Sequence, residues 1–221
     1  MKKIKSLISA ILFTSMLTFG PAASVVAGIV NGDFENGDLS GWSGDLITAG
    51  TVDPNTDPHF TIVPNAGPDN SYVAQIVYDG DDNWIVSLYQ DFTLDSLQPS
   101  QSMTMNFWLQ WQPTDSGQDV ISVTLSNSSG DTVIDLLDGV SDNALLSGVW
   151  VNADITSFAA QFGGQQVELN FSLMDYDYAA PDRLNIDNVA VTASPVPLPG
   201  AVWLLGAGLG LVGLGRKLRI S

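Results

Sequence analysis

A chain of 221 residues is long enough for one domain with appendages, and its composition excludes several classes at once. There is no cysteine, so no disulfide, thiolate metal site or cysteine nucleophile can form. All 24 acidic residues lie between Asp33 and Asp187, where Arg183 is the only base; the resulting formal charge of −23 repels nucleic acid and anionic lipid and attracts cations.

At the N-terminus, Lys2, Lys3 and Lys5 precede the apolar stretch 7–19. Small residues follow, with Val25-Val26-Ala27 offering a cleavage site before Gly28, so residues 1–27 read as a secretory signal peptide. Residues 28–194 read as all-β. Runs of period two are expected as strands at 59–63, 72–78, 84–94, 102–112, 119–127, 148–155, 165–174 and 185–192. Turn clusters such as Asn65-Ala-Gly-Pro, Asp79-Gly-Asp-Asp-Asn and Phe162-Gly-Gly separate them, and only 156–161 offers a short helix. That many strands in one domain suit a two-sheet sandwich.

Two of these runs place a candidate ligand face. In 84–94, Val86, Leu88, Phe92 and Leu94 share one parity; in 102–112, Met103, Met105, Phe107, Leu109 and Trp111 do the same. If the two runs pair directly, with Leu94 opposite Met103 and Val86 opposite Trp111, the other face carries Tyr89 across from Trp108. Ser87, Asp91, Thr93, Thr104, Asn106 and Gln110 frame that pair. Aromatics framed by short polar groups suit a sugar ring, and the candidate ligand set is Trp108, Tyr89, Asn106, Gln110, Asp91 and Trp84. The same pattern is also an ordinary stabilising cross-strand pair. Moreover, jelly-roll strands consecutive in sequence often lie in opposite sheets, which would part the two aromatics.

The chain ends in a segment of another kind. Residues 196–214 hold no charge, and 19 helical residues reach about 28 Å, close to a hydrocarbon core of roughly 30 Å. Arg216, Lys217 and Arg219 follow at once and would keep the C-terminus cytoplasmic. The motif Val196-Pro197-Leu198-Pro199-Gly200, the span and the basic end together closely resemble the PEP-CTERM sorting domains in their VPLPA-type variant; Gly200 stands where that variant usually has alanine. The resemblance covers residues 195–221. It implies export through the inner membrane and a transient membrane anchor. It also implies processing by an exosortase-type protease and arrival at the surface or extracellular matrix of a Gram-negative cell that makes exopolysaccharide. Such tails are attached to many unrelated domains, so the tail implies an address and no activity.

The opening Ile29-Val-Asn-Gly-Asp-Phe-Glu-Asn-Gly-Asp-Leu-Ser-Gly-Trp looks like the start of family 4 and 9 carbohydrate-binding modules. Leu88-Tyr-Gln-Asp-Phe, Gly148-Val-Trp, Asp154-Ile-Thr-Ser-Phe, Val167-Glu-Leu-Asn-Phe and Leu184-Asn-Ile-Asp-Asn-Val agree with it in order. The resemblance implies a two-sheet, galactose-binding-like jelly roll over 28–194 that binds polysaccharide without catalysis. It also implies a structural Ca2+ held by Glu35 and Asp187, with Asp33 a third candidate. Calcium takes several oxygen ligands, and tying the first segment to the last strand would staple a sandwich that has no disulfide. Trp42 and Trp150 fall where the resemblance places core aromatics.

Chemistry is limited by missing parts. No lysine lies in 28–194, His59 is the only histidine, and no G-x-S-x-G, H-E-x-x-H, phosphate loop or dinucleotide fingerprint is present. His59, after a proline at a strand start, is expected to be an exposed polar residue. The loop 79–84 lacks the sixth-position glycine and twelfth-position acid of a calcium-binding loop. Paired carboxylates of the glycosidase type are the one catalytic route left, and the only glutamates are Glu35 and Glu168. A non-catalytic polysaccharide binder is the expectation, with a structural matrix or adhesion protein as the alternative.

Overall fold

The computed structural model describes residues 24–26, 28–114, 119–178 and 180–195. The tail read as a sorting segment, with Val196, Pro197, Leu198, Pro199 and Gly200, lies outside them, as does nearly all of the segment read as a signal peptide. Within the described residues no helix is long and apolar enough to cross a membrane.

Twelve strands and two short helices follow one another: β1 (Ser24–Val26), β2 (Ser43–Leu46), β3 (Gly50–Val52), β4 (Phe60–Val63), β5 (Val73–Tyr78), β6 (Ile85–Thr93), β7 (Gln101–Gln112), β8 (Val120–Asn127), β9 (Val133–Asp135), α1 (Asp142–Ser147), β10 (Val149–Asp154), α2 (Thr156–Phe162), β11 (Gln166–Met174) and β12 (Asp182–Pro195). They form an all-β, two-sheet sandwich. The first sheet runs β10-β7-β12-β5-β4, with β1 also on β12; the second runs β3-β2-β6-β11-β8-β9.

The eight expected runs are all strands, and the expected short helix is α2. Alternation correctly assigns the inner face. Val86, Leu88, Phe92 and Leu94 are buried, as are Met103, Met105, Phe107 and Leu109. Rings from both sheets meet between them: Phe107 on β7 packs edge-on to Phe171 on β11 at 5.3 Å, and Trp42 packs on Phe171 at 6.0 Å. An edge-to-face pair sets the positive rim of one ring against the negative face of the other, adding to what burial alone contributes. Trp42 is therefore a core residue, as expected, whereas Trp150 is 49% exposed on the edge strand β10 and is not.

The direct pairing of β6 with β7 does not occur. β6 lies between β2 and β11 in the second sheet, and β7 lies between β10 and β12 in the first. The link from Leu94 to Ser100 is seven residues, longer than a tight hairpin. It crosses the roughly 10 Å between packed sheets.

Candidate functional site

The outward face of the second sheet carries a continuous polar strip, in which strand register sets the rows. Asp45, Ser87, Ser172 and Ser122 lie side by side, then Ser43, Tyr89, Asn170 and Thr124, then Asp91, Glu168 and Ser126. Each residue has the parity opposite to the core set, so the alternation that buries Leu88 and Phe171 turns Tyr89 and Asn170 outward. The short polar groups are linked: Ser87 Oγ and Ser172 Oγ are 2.8 Å apart, Ser172 Oγ donates to Asn170 Oδ1 at 2.7 Å, and Asn170 Nδ2 donates to Glu168 Oε1 at 3.4 Å. At one end of the same two strands Trp84 packs against Tyr176, ring centroids 5.5 Å apart. From Ser87 to Asp91 the polar rows run about 13 Å at the usual strand rise, and the apolar row of Ile85, Met174 and Val120 lies between them and the Trp84–Tyr176 pair. Tyr176 and Tyr178 stand 50% and 60% exposed.

The expected ligand set is thereby divided. Tyr89 and Asp91 lie on the strip and Trp84 lies beyond its end. Trp108, Asn106 and Gln110 belong to the first sheet, on the opposite outside face of the molecule, so Tyr89 and Trp108 do not form one platform. Trp108 is also unfit as a sugar platform because it is buried. The backbone at Gly148 lies on its ring, so closely that a Cβ there would come within 2.7 Å of Trp108 Cζ2. Asn106 Nδ2 donates to Thr192 Oγ1 at 2.9 Å, and Gln110 Oε1 accepts from Asn185 Nδ2 at 3.2 Å, so both amides serve the first sheet's own hydrogen bonding. The residues missed in sequence are Asn170, Ser172 and Glu168. Their signal was present as the outward parity of 165–174, the strand that does pair with β6.

The opening loop and the last strand also meet. Asp187 on β12 is fully buried, at the irregularity where β12 shifts register against β7. Ser71 Oγ donates to its Oδ2 at 2.6 Å and the Asn188 amide to its Oδ1 at 2.6 Å. Burial pushes its pKa up, and the nearby Glu35 and Asp33 carboxylates add to the rise against those two hydrogen bonds. Glu35 is exposed and accepts the Tyr72 amide at 2.9 Å. The loop from Asn65 to Ser71 closes over Asp187; a Cβ at Gly67 would lie 2.5 Å from Asp187 Oδ2. Glu35 and Asp33 from the opening loop thus lie near enough to Asp187 for their charges to act on it, although the three carboxylates are not gathered within 4.8 Å of one another.

Two other carboxylate groups converge. The oxygens of Asp119, Asp175 and Asp177 lie within 4.8 Å of one another, as do ligand atoms of His59, Asp79 and Asp81. His59 is only 4% exposed, contrary to the expectation of a surface residue. The β4–β5 pairing buries it, since its carbonyl accepts the Val77 amide at 2.8 Å.

Neither protein-family models nor curated proteins give a match to this chain. Several solved structures are similar to it. A Stig cyclase from Fischerella sp. TAU is 17% identical with a TM-score of 0.49, over 80% of this chain and 100% of the cyclase. The CBM22-1 xylan-binding domain from Paenibacillus barcinonensis is 10% identical with a TM-score of 0.47, over 80% and 98% of the two chains. The enzymatically active domain of bacteriophage CBA120 tailspike protein 4 is 14% identical with a TM-score of 0.47, and the aligned part spans only 21% of the tailspike chain. None of these likenesses assigns an activity to this protein.

Proposed function

We propose that this is an exported, non-catalytic protein that binds neutral polysaccharide on the outward face of its second sheet. The observation that carries the proposal is the row of Tyr89 and Asn170 with Glu168 and Asp91 beside it, on the outward face of β6 and β11 and with the Trp84–Tyr176 pair beyond its end. Ser87 and Ser172 are buried beneath it and fix the Asn170 amide. Amide and carboxylate groups in a fixed row match the donors and acceptors of sugar hydroxyls, and the rings offer apolar faces to sugar C–H groups. Neutral sugar is favoured because the rows contain no base, and a domain of charge −23 repels an acidic glycan. Arg183 lies in the other sheet.

A structural Ca2+ at Glu35 and Asp187, with Asp33 beside them, belongs to the same reading. The donor chemistry suits the ion: the donors are all oxygen, and a buried carboxylate with two exposed carboxylates nearby is a charge that a divalent cation would neutralise. Such an ion would bind the opening loop to the last strand. The tail resemblance supplies the address, with exosortase-type processing near residues 196–200 and retention at the cell surface. A structural matrix protein without sugar affinity is the competing reading.

A glycan array and polysaccharide pull-down on the full chain test the difference. Tyr89→Ala and Trp84→Ala are each expected to weaken binding roughly 30-fold, the cost of truncating an aromatic anchor at about 2 kcal/mol. Gln110→Ala, on the opposite sheet, is expected to leave binding unchanged. No affinity for any neutral glycan, with self-association instead, would establish the matrix reading.

A further inference from the structure

We propose that His59, Asp79 and Asp81 form a divalent transition-metal site, with zinc as the ion it fits, separate from both the sugar strip and the opening loop. The arrangement follows from the fold. His59 leads into β4, and its backbone is bonded to Val77 on β5. Asp79 and Asp81 lie just beyond the end of β5, in the loop before β6, so the β4–β5 pairing brings that loop over the imidazole.

The ring's orientation is set. Nδ1 lies 2.8 Å from Asp57 Oδ1, which also accepts the His59 amide at 3.0 Å. A neutral imidazole donating from Nδ1 to a carboxylate keeps its lone pair on Nε2, the tautomer arrangement found behind most metal-ligating histidines. That Nε2 is buried without a hydrogen-bond partner. It points at Asp81 Oδ2, 3.3 Å away, and Asp79 Oδ1, 3.7 Å away. Three electron-rich atoms thus lie within 4.8 Å of one another. Ligands held at about 2.0–2.2 Å from a tetrahedral zinc stand roughly 3.3–3.6 Å apart. The observed spacing needs little adjustment.

Supporting groups hold the carboxylates in turn. The Asn83 amide donates to Asp81 Oδ1 and Asn83 Nδ2 to Asp81 Oδ2, both at 2.7 Å, while Thr48 Oγ1 donates to Asn83 Oδ1. The Asp81 amide donates to Asp79 Oδ1 at 3.3 Å. Side-chain exposures of 51% for Asp79 and 41% for Asp81 leave an open side for water as a further ligand. A nitrogen donor in a three-ligand set selects zinc or a neighbouring transition ion over calcium and magnesium, which take oxygen. The site would tie β4, at the edge of the first sheet, to the loop that follows β5.

The competing occupant is a proton, which would make His59 an imidazolium paired with the two aspartates. The single histidine of the chain separates the two, since its imidazole nitrogens give one set of resonances. The full chain, purified in detergent and stripped with chelator, is titrated with zinc chloride in excess calcium. Saturation at one zinc per chain is expected, with a shift of the Nε2 resonance that calcium alone does not produce. The double variant Asp79→Asn, Asp81→Asn alters only partly exposed loop side chains, so the fold is retained; it is expected to weaken zinc binding at least 10-fold, and His59→Gln to abolish it. An Nε2 that carries a proton throughout the titration, with no zinc bound, overturns the proposal in favour of the ion pair. Zinc binding that leaves the resonance or the double variant's affinity unchanged overturns it by placing the ion elsewhere.

Discussion

Chelation of calcium with EGTA is expected to lower the melting temperature of the full chain by about 5–16 °C, and added calcium, but not added zinc, is expected to restore it. The size follows from mass action. An ion present at 100 to 1,000 times its dissociation constant stabilises the folded state by about 2.7–4.1 kcal/mol. For a domain of this size each kcal/mol moves the midpoint by roughly 2–4 °C. The cause is local to Asp187. Its carboxylate is fully buried and the exposed Glu35 and Asp33 lie near enough to raise its pKa further, so without a cation the folded state carries an uncompensated buried charge. Glu35→Gln is the informative variant because Glu35 is exposed and a glutamine keeps the acceptor for the Tyr72 amide. It is expected to melt at nearly the same temperature with and without EGTA. A wild-type melt that EGTA leaves in place would remove calcium from the account of this fold.

The two proposed metal sites differ in how far the sequence could show them. Glu35 and Asp187 stand in motifs whose family resemblance names them, and although they come from opposite ends of the domain the Glu35 charge acts on Asp187. His59 gave the opposite impression: Pro58 and a run of aspartates look like a solvated loop, and only its pairing with Val77 reveals a buried ring. Burial of a polar residue by register has no one-dimensional signal. The same limit explains the ligand face. Period two states which side of a strand faces the core, and the inward residues of β6 and of β7 from Met103 to Leu109 are indeed inside. It does not state which strand lies alongside. Tyr89 was legible as outward-facing and Trp108 as its parity mate, yet the seven-residue link between β6 and β7 sends them to opposite sheets. The strands β2, β3 and β9 were not legible at all. Segments such as Ser-Gly-Asp-Leu, Gly-Thr-Val and Val-Ile-Asp are too short to alternate, and they are strands because a longer neighbour offers them its edge. Trp108 shows a further kind of miss: it has outward parity but is covered by the glycine that ends α1.

Asp175→Asn is expected to raise the melting temperature of the full chain at pH 7–8 by about 3–12 °C and to flatten its dependence on pH. Asp175 and Asp182 are 1% and 0% exposed and lie within hydrogen-bonding reach of each other. Burial pushes both carboxyls upward in pKa. The Tyr178 and Asp177 amides oppose the rise at Asp175, and the Thr114 amide opposes it at Asp182. With both ionised, Asp175 Oδ2 and Asp182 Oδ2 have no donor between them; one shared proton supplies it. The folded state therefore binds protons more tightly than the unfolded chain. The stability this gives is fully present below the ordinary aspartate value of 3.8 and is lost as pH rises through the elevated folded values. In EGTA, the wild type should accordingly melt lower at pH 8 than at pH 5. Asparagine at 175 keeps Oδ1 as acceptor for Tyr178 and Asp177 and turns Nδ2 toward the Asp182 carboxylate. A hydrogen bond to a charged group contributes about 1.5–3 kcal/mol, which at roughly 2–4 °C per kcal/mol gives the stated range. Tyr78 is a built-in control, because its hydroxyl donates to the Asp81 carbonyl at 3.0 Å. Burial and the surrounding acids, Asp175 first among them, push its pKa up to about 12, so it stays protonated throughout. A variant that melts below wild type at pH 8 would show that the Asp175 carboxylate is held by a cation and not by a proton.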